Sequence, residues 1–350
     1  MTDSLPELVD RVAERTLDRN MESEDWRKAV AINGLLVTGQ KNCIDAAQRL
    51  VDRSIETQTS SGYLSYGSTD PVPASVLDPA EWPDYDSGQW QCNGATIGQS
   101  VLEFYDRTGT QRYLAAAERQ YEALLDADRT ADGGISYNSH VTELWVDSLY
   151  MVPPFVAQYG TITDDADAID EAITHITVQA NHLQDPHTGL FRHIWREQPN
   201  SFPESTFWSR GNGWAAAGII DTISILPDDH PDREQLVDVF RDLCSGVVTK
   251  QDASGYWHNV LDDRQSPLET SGTLMFSYAF GTAVEMGLLD EDPYLDAAQR
   301  GLDVCKGIVD SEGNVQRIAM PPGGPGVGLG TASFGQGWFL LAADPLGKQK

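Results

Sequence analysis

The pattern of apolar and polar positions divides the chain into two kinds of predicted helix. One kind is apolar over most of its length and rich in Gly and Ala, which is typical of helices buried on several sides. The other kind carries its apolar residues on one side, at the three- and four-residue spacing of an amphipathic helix. The apolar helices are predicted at residues 26–38, 93–108, 144–159, 211–225, 270–288 and 334–343. The amphipathic helices are predicted at residues 5–19, 44–56, 112–126, 166–183, 233–249 and 294–308.

A short segment that combines Gly with aromatic or apolar residues recurs along the chain. The turn residues around it and the alternation within it predict a short strand or an extended loop. Each copy lies between an amphipathic helix and an apolar one, so we interpret the chain as repeated copies of one helical hairpin. The copies occur at residues 62–66, 133–137, 189–193, 255–258 and 313–316.

Six such hairpins predict an all-α fold, an (α/α)6 barrel with an inner ring of apolar helices and an outer ring of amphipathic ones. We expect a single domain over residues 1–350, with short β segments at one mouth of the barrel. The alternative is an open α-solenoid, which requires a polar cap at each end. The last inner helix is itself apolar, which favours closure. The mouth gathers the N-terminal ends of the inner helices, whose dipoles attract anionic ligands.

The charge of the chain is strongly negative. The 350 residues include 53 acidic and 24 basic side chains, for a net charge of −29. The acidic residues recur on every polar face, so we expect the surface to repel nucleic acids and anionic membranes. This composition is typical of a protein that stays soluble in concentrated salt, and it favours a halophilic source such as an archaeon. An acidic enzyme from a mesophile is the alternative.

The chain shows no targeting or membrane-spanning pattern. Its first residues lack the basic and apolar parts of a secretory signal, and no apolar run approaches the about 18 residues of a membrane span. We therefore expect a cytoplasmic protein. The four cysteines are far apart in sequence, so we expect buried thiols rather than a zinc site or a redox pair.

One acidic residue interrupts an apolar helix start. In the stretch 144–151, Asp147 is surrounded by Trp, Val, Leu and Tyr. Burial disfavours the charged form of a carboxyl group, and general-acid catalysis requires a protonated one. Asp147 is therefore the candidate acid, and a helix-capping role is the alternative.

The stretch 208–214 opens the fourth apolar helix with two indoles, a guanidinium and two glycines. An Arg offers a forked pair of donors to a carboxylate, and flat aromatic faces beside it suit a sugar ring. Trp208, Arg210 and Trp214 are therefore candidate binding residues; the alternative is a helix start whose aromatic side chains only pack on a neighbour. Other candidates lie at corresponding places of the remaining repeats: Asp25, Trp26, Asn93, Trp145, His193, His258, Glu269 and Thr270.

The concentration of Trp at these places predicts a carbohydrate site. We expect the Pro- and Gly-rich loop at residues 321–330 to fold over the mouth. Histidines 175, 182, 187 and 230 fall on amphipathic helices or turns, where we expect them to be exposed. Motifs for a serine nucleophile, a zinc protease, a phosphate-binding loop or a dinucleotide are absent from the sequence.

Four stretches, at residues 144–151, 189–193, 208–214 and 269–276, carry a resemblance to a known group of enzymes. They resemble the unsaturated glucuronyl and rhamnogalacturonyl hydrolases of glycoside hydrolase families 88 and 105, the latter more closely. The similarity extends over nearly the whole chain. Carried over position by position, it implies that Asp147 is the catalytic aspartate. It also implies that His193, Arg210 and Trp214 are the family's site histidine, arginine and stacking tryptophan.

The resemblance also implies a reaction. These families hydrate the C4=C5 double bond of the unsaturated uronic acid that a polysaccharide lyase leaves at a non-reducing end, after which the sugar opens and is released. Asp147 would protonate the double bond and help to activate water, so one acid/base carboxyl would suffice, unlike the pair in ordinary glycosidases. The resemblance implies an unsaturated uronate-containing oligosaccharide as partner, and no metal or organic cofactor.

The chain departs from the family pattern at Asn93, where a second aspartate is often found. An amide can orient a substrate or a water molecule, but it cannot share a proton with Asp147. Two alternatives therefore remain open. One is a sugar epimerase or lyase on the same barrel, with a base such as His193 or His258; the other is a sugar-binding relative without activity. Rhamnogalacturonan, ulvan-like and glycosaminoglycan-like products all carry the same terminal ring.

Overall fold

The computed structural model describes residues 3–22, 24, 26–64, 90–321 and 323–348. Asp25 and the end of the first glycine segment, Ser65 and Tyr66, lie outside the described residues. The inner helices are α2 (Trp26–Val37), α4 (Asn93–Thr108), α6 (Ser148–Met151) with α7 (Pro153–Thr163), α9 (Ser209–Ile225), α11 (Thr270–Glu285) and α13 (Ser333–Lys348). The outer helices are α1 (Leu5–Leu17), α3 (Lys41–Glu56), α5 (Gln111–Leu125), α8 (Ala166–Leu183), α10 (Arg233–Val248) and α12 (Glu291–Lys306).

The inner helices form a closed ring. Each packs on its neighbours in the order α2, α4, α7, α9, α11 and α13, and α13 returns to α2. Glycines allow the last contact, because a Cβ atom at Gly34 of α2 would lie 2.6 Å from the Cα atom of Gly337 in α13. The prediction of an (α/α)6 barrel is thus confirmed, and the open solenoid is wrong.

The third inner helix differs from its prediction at its start. Residues 143–145 form a strand, and the helix divides into α6 and α7 at Val152. Pro153 follows at the first position of α7, where a residue without an N–H group is tolerated because no intrahelical partner exists for it. The division shortens the helix that carries Asp147 to a single turn.

The described part of the chain contains seven short strands, which lie at the end of the barrel where the inner helices begin, as predicted. The first three form one antiparallel sheet, and the other four form two hairpin pairs. The strands are β1 (Glu143–Trp145), β2 (Ile194–Arg196), β3 (Ser201–Glu204), β4 (Trp257–His258), β5 (Leu268–Glu269), β6 (Ile318–Ala319) and β7 (Leu329–Gly330).

The recurring glycine segments are mainly turns and extended loops, the second of the two predicted alternatives. Among the described residues of these segments, only those at 255–258 contribute a strand, β4, while three other segments form isolated bridges. Their glycines adopt the left-handed conformation, which other residues disfavour. They also touch the next outer helix of the ring, since a Cβ at Gly189 would meet the carbonyl of Asp242 and one at Gly313 that of Arg11. The φ angles are 97° at Gly62, 99° at Gly133, 72° at Gly189, 97° at Gly255 and 85° at Gly313.

A buried polar side chain holds each of these segments. In each case the acceptor binds the backbone N–H of the residue two positions after the glycine. The pairs are Leu64 with Gln120, Ile135 with His175, Phe191 with Asn212, Trp257 with Thr273 and Val315 with Gln336, at 2.7–3.3 Å. His175 is therefore fully buried rather than exposed as predicted. Burial lowers the pKa of His175 to about 3, with a smaller contribution from Arg129, so its Nδ1 atom can accept.

Aromatic side chains close the centre of the barrel. The ring of Trp214 lies 5.0 Å from that of Tyr150 and 5.7 Å from that of Trp338, measured between centroids. This layer separates the mouth from a cavity of about 520 Å³ at the opposite end. In that cavity the hydroxyl of Tyr278 donates to Oδ1 of Asp221 at 2.7 Å. No helix in the described part of the chain is both long enough and apolar enough to span a membrane.

Asp221 predicts a pH dependence of stability. Burial raises the pKa of this carboxyl from its usual 3.8 to about 7, against the hydrogen bond from Tyr278. Because the folded-state pKa is raised, the associated stability is present below pH 4 and is lost as the pH rises to 7. We expect Asp221→Asn to raise the free energy of unfolding by about 2 kcal/mol at pH 8.5 and to change it little at pH 4.

Urea unfolding of both proteins at the two pH values measures this difference. Asp229→Asn, at an exposed position on the same side of the barrel, is the matched control. An equal gain at pH 4 and pH 8.5 would contradict a role for the charge of Asp221.

Candidate active site

The mouth of the barrel is assembled by one hydrogen-bonding step that repeats from hairpin to hairpin. A residue at the start of an inner unit donates its N–H to a carbonyl four positions after the glycine of the next segment. The described bonds run from Gln91 to Tyr137, from Val146 to His193, from Ser209 to Asn259 and from Thr270 to Arg317, at 2.9–3.2 Å. Equivalent positions of the repeat therefore gather at one mouth.

This step places Asp147 and Arg210 at equivalent positions of adjacent hairpins, since each directly follows one of the donors. Ser271 occupies the same position in the next hairpin, and its Oγ atom lies 3.5 Å from Nη1 of Arg210. Cys92 occupies it in the preceding hairpin, where Asp147 adds to the effect of burial in raising the pKa of the thiol. One repeat position thus supplies a carboxyl and a guanidinium to the same ring of side chains.

Asp147 stands beside His193. Its carboxyl oxygen Oδ2 lies 3.4 Å from Nε2 of the histidine, and the two side chains are 11% and 7% exposed. Antiparallel pairing of β1 with β2 fixes this approach. Asp147 occupies the N-cap position of α6, but its side chain forms no capping hydrogen bond, so the capping alternative is wrong. Oδ2 and both ring nitrogens of His193 have no hydrogen-bond partner among the described residues.

Arg210 is fully buried between two aromatic rings. Its guanidinium carbon lies 4.4 Å from the ring centroid of Trp208 and 5.1 Å from that of Phe334. Nη1 donates to the carbonyl of Ala319. Nε and Nη2 have no hydrogen-bond partner in the part of the chain that the structure describes. Two buried N–H donors of one fork are thus left for a ligand.

The charge of Arg210 is retained at neutral pH. Burial lowers the pKa of its guanidinium to about 10, whereas Glu269 and then Asp147 act in the opposite direction. A buried charged fork favours a planar anion with two acceptor oxygens, such as a carboxylate.

Aromatic side chains continue the wall on the other side of His193. The imidazole lies 4.7 Å from the ring of Trp208 and 5.7 Å from that of Trp145, measured between centroids. Trp145 stacks on Tyr137 at 4.7 Å, and the hydroxyl of Tyr137 donates to Oδ1 of Asn93 at 2.8 Å. The predicted residues Trp145, His193, Trp208 and Asn93 therefore belong to one continuous wall.

Trp26 and Trp214 meet, but they differ in exposure. Their rings contact edge to face at 5.3 Å, and Trp26 also lies 5.0 Å from the ring of Phe334. Trp26 is half-buried, whereas Trp214 is fully buried in the layer that closes the barrel. The prediction that Trp214 stacks on a sugar ring is therefore corrected, because in this structure its buried ring packs against Trp26.

The three remaining predicted residues, His258, Glu269 and Thr270, differ in their surroundings. His258 binds the carbonyl of Ser266 at 2.6 Å and lies 3.7 Å from Asp252, so it is not brought to the Asp147 cluster. β4 explains this, because alternate residues of a strand point to opposite faces and Trp257 takes the core side. Glu269 acts on the charge of Arg210, and Thr270 directly precedes Ser271, whose Oγ atom lies 3.5 Å from Nη1 of Arg210.

Glu269 is fully occupied as a structural cap. Its oxygens accept from the backbone of Ser271 and Gly272 and from that of Ala319, at 2.7–2.9 Å. The prediction that Glu269 binds substrate is therefore wrong in this geometry; the carboxylate instead holds the start of α11 and favours the charge on Arg210. Thr270 is buried, and its hydroxyl has no hydrogen-bond partner among the described residues.

The glycine-rich loop lies over the site, as predicted for the residues of 321–330 that are described; Pro322 is not among them. A Cβ atom at Gly323 would lie 2.7 Å from Nη2 of Arg210 and would also meet the ring of Trp208. The side chain of Asn259 donates to the carbonyl of Gly324 at 2.8 Å and so fastens the loop. Substitutions at Gly323 therefore press directly on the arginine.

The sequence predictions omitted Tyr137 and Asn259. Both stand four positions after a repeat glycine, the position that His193 occupies in its own hairpin. The spacing was thus a usable signal. The residues that the structure describes include no group of three or more His, Cys, Asp or Glu placed to hold a metal ion. All four cysteines are buried and free, as predicted.

Comparison with known proteins agrees with this geometry. An unsaturated rhamnogalacturonyl hydrolase of Bacillus subtilis (strain 168) is 25% identical over 323 residues, which cover 89% of this chain and 83% of that protein. An unsaturated 3S-rhamnoglycuronyl hydrolase of Alteromonas sp. (strain LOR) is 26% identical over 271 residues, 71% of this chain and 65% of that protein.

Solved structures share the fold. A family 105 glycoside hydrolase of C. acetobutylicum ATCC 824 superposes with a TM-score of 0.82 at 21% identity, over 97% of this chain and 99% of that one. The unsaturated glucuronyl hydrolase of Bacillus sp. GL1 gives a TM-score of 0.71 at 14% identity, over 98% and 96% of the two chains. The family model for Glycosyl Hydrolase Family 88 matches residues 4–345, so the chain belongs to this family of glycoside hydrolases.

Proposed function

We propose that this enzyme removes the 4,5-unsaturated uronic acid from the non-reducing end of oligosaccharides produced by polysaccharide lyases. One observation carries the proposal: a buried carboxyl, Asp147, and a buried arginine with two free donors, Arg210, occupy equivalent positions at one mouth. An unsaturated uronate offers both a carboxylate for the arginine and a double bond for the acid. The activities named for the family 88 relatives support the same chemistry.

Each residue of the site has a role in the proposed reaction. The guanidinium of Arg210 binds the uronate carboxylate, which orients the ring. Asp147 transfers its proton to C4 of the double bond and then accepts a proton from the water that adds to C5. The resulting hemiketal opens, and the glycosidic oxygen leaves with the rest of the oligosaccharide. His193 contacts Asp147 and fixes the position of its carboxyl.

Loss of ultraviolet absorbance tests the proposal, because hydration removes the conjugated double bond. The purified protein would be incubated with lyase digests of rhamnogalacturonan, ulvan and glycosaminoglycans. Turnover of at least one digest, with release of one keto acid from the hydrated and opened uronate per molecule, is the expected result. Absence of turnover for every digest, together with tight binding of one of them, would favour the inactive sugar-binding alternative instead.

The proposal includes a setting in concentrated salt, which the net charge of −29 supports. Charges repel across about 10 Å at 0.1 M salt but only about 3 Å at 1 M. We expect the melting temperature to rise by about 5 °C or more between 0.1 and 2 M KCl, which corresponds to about 2 kcal/mol for a chain of this size.

Thermal unfolding over a KCl series at pH 8 measures this rise in melting temperature. The same series at pH 5, closer to the isoelectric point of about 4.3, is the control, and the rise should be smaller there. Equal rises at pH 5 and pH 8 would show that relief of charge repulsion is not the cause.

A further inference from the structure

His175 is a buried imidazole that the proposed reaction does not use. It belongs to the outer helix α8 and is fully buried. Its Nδ1 atom accepts from the backbone N–H of Ile135 at 3.3 Å, as one of the five acceptors that hold the glycine segments. Its Nε2 atom lies 2.9 Å from Oγ of Ser148. Ser148 directly follows Asp147 and begins α6, so one imidazole joins a glycine segment to the helical turn beside the candidate acid.

The hydrogen bonds of His175 define its tautomer. Burial lowers the pKa of the imidazole to about 3, so the ring is neutral at neutral pH. A neutral imidazole carries one proton, and Nδ1 accepts from Ile135, so the proton is on Nε2. Nε2 therefore donates to Oγ of Ser148. Because the pKa lies far below neutrality, this direction of the hydrogen bond is constant around pH 7.

The hydroxyl of Ser148 forms every hydrogen bond that it can form. Oγ accepts from Nε2 of His175 at 2.9 Å and from Nε2 of Gln179 at 2.7 Å, and it donates to the carbonyl of Trp145 at 2.9 Å. A hydroxyl group has one proton to donate and two lone pairs to accept with. Ser148, His175 and Gln179 are all fully buried. Oε1 of Gln179 has no hydrogen-bond partner among the described residues, so the donor bond to Ser148 is what explains this buried amide.

The helical turn beside Asp147 depends on such anchors. α6 comprises only the four residues Ser148–Met151. A single turn of helix is not stable by itself, so its position is set by contacts with the rest of the fold. Asp147, at the N-cap position, forms no capping hydrogen bond. Before Asp147, the N–H of Val146 donates to the carbonyl of His193 at 3.0 Å; after it, the side chain of Ser148 is the anchor.

The bond to Ser148 distinguishes His175 from the matching residue of the preceding hairpin. Gln120 lies on the outer helix α5, and its Oε1 atom accepts from the N–H of Leu64 at 2.8 Å. Its Nε2 atom has no hydrogen-bond partner in the part of the chain that the structure describes. Holding a glycine segment therefore requires an acceptor only. The second hydrogen bond of His175 is not needed for that structural role.

We infer that His175 is a positioning residue for the catalytic step, which acts through Ser148 to hold the carboxyl of Asp147 in place. This inference rests on the proposed function, because Asp147 is the acid of the reaction proposed there. Misplacing a reacting group by about 1 Å can lower a rate by about 10²-fold. Loss of the bond between His175 and Ser148 therefore lowers kcat. KM stays unchanged, because Arg210 binds the uronate carboxylate from a different helix.

Two substitutions at His175 separate its two hydrogen bonds. Asparagine places an oxygen near the position of Nδ1 but is too short to reach Ser148, so His175→Asn keeps the acceptor for Ile135 and removes the donor. Glutamine is long enough for its amide to reach Ser148, so His175→Gln restores the donor. We expect His175→Asn to lower kcat about tenfold at unchanged KM in the ultraviolet assay, and His175→Gln to stay within about twofold of the wild type.

Gln120→Met is the matched control. It leaves the N–H of Leu64 without its acceptor, so we expect the melting temperature to fall, as in His175→Asn, but kcat to stay unchanged. Ser148→Ala removes the other partner of the bond. It should lower kcat about as much as His175→Asn does, and the double variant should lower kcat no further.

Two results would overturn the inference. The first is an equal kcat for wild type, His175→Asn and Ser148→Ala. The second is a loss of kcat in His175→Gln or Gln120→Met as large as that in His175→Asn, since changed packing rather than the lost hydrogen bond would then be the cause.

A measurement without substrate separates this inference from the proposed function. Hydrogen–deuterium exchange, followed by mass spectrometry on a peptide that covers residues 146–152, reports how firmly the turn beside Asp147 is held. Exchange about tenfold faster in His175→Asn and Ser148→Ala than in wild type, with His175→Gln close to wild type, supports the inference even if no digest is turned over. Unchanged exchange in both variants overturns it even if the enzyme is active.

Discussion

Replacing Asp147 with Asn is expected to lower kcat on an unsaturated uronide by about 10³-fold. General-acid catalysis contributes about 10²–10⁴-fold, and an amide has no proton to transfer to C4. The substitution preserves shape, and the carboxyl forms no capping bond that the fold would lose. We therefore expect the folded structure and the KM to change little, which a circular dichroism spectrum and a continuous ultraviolet assay would measure.

Asp221→Asn is the control for this result, since it makes the same chemical change at the opposite end of the barrel. Its activity should match that of the wild type at pH 7. If Asp147→Asn kept full activity, Asp147 would have no part in the chemistry. If His193→Gln abolished activity while Asp147→Asn did not, the site would instead suit an epimerase or a lyase with a histidine base.

The closed barrel was predictable because its signals are local and repeated. Each hairpin joins an apolar helix to an amphipathic one, and each glycine marks a left-handed turn against the next outer helix. Six copies of one pattern average out errors at individual boundaries. The strand at residues 143–145 was less visible, because its apolar residues continue directly into the apolar pattern of the helix that follows.

The site was predictable only in part. Asp147, His193 and Arg210 could be placed because they adjoin the starts of inner helices, where the repeat brings equivalent positions together. Glu269 and His258 are also an acidic residue and a histidine near the start of an inner helix, as Asp147 and His193 are. Their hydrogen-bond partners, however, are fixed by details that the sequence pattern does not encode. Glu269 caps its own helix and accepts from Ala319, which is 50 residues away. His258 faces outward because β4 alternates its sides, and the burial of Trp214 depends on Tyr150 and Trp338 from two other helices.

Arg210 is part of the site although its burial lowers the stability of the fold. A charged group in the interior loses its hydration, and only part of that loss is offset here by Ala319, the two aromatic faces and the distant carboxylates. The lowered pKa of about 10 reflects the same cost. Two donors of the fork have no hydrogen-bond partner among the described residues, so the fold alone does not explain the presence of an arginine. A function that requires the free donors does.

Arg210→Met should therefore separate activity from stability. Removing one partner of a buried, hydrogen-bonded charge pair weakens ligand binding by about 2–5 kcal/mol. We therefore expect kcat/KM to fall by about 10²–10³-fold. Methionine fills a similar volume without a charge, so we expect the free energy of unfolding to stay equal or to rise by about 1 kcal/mol or more. Arg210→Lys keeps the charge but not the fork, and it should recover little of the lost kcat/KM.

Urea unfolding and the ultraviolet assay on the three proteins measure both quantities, and Arg241→Gln serves as the exposed control. A loss of stability in Arg210→Met that parallels the loss of activity would mean that the arginine is a structural element of the mouth. Full recovery of kcat/KM by Arg210→Lys would show that a point charge is sufficient, and the bidentate grip on the uronate carboxylate would then be wrong. A stable but inactive Arg210→Met, with Arg210→Lys close to it, would show that the guanidinium is kept for the substrate.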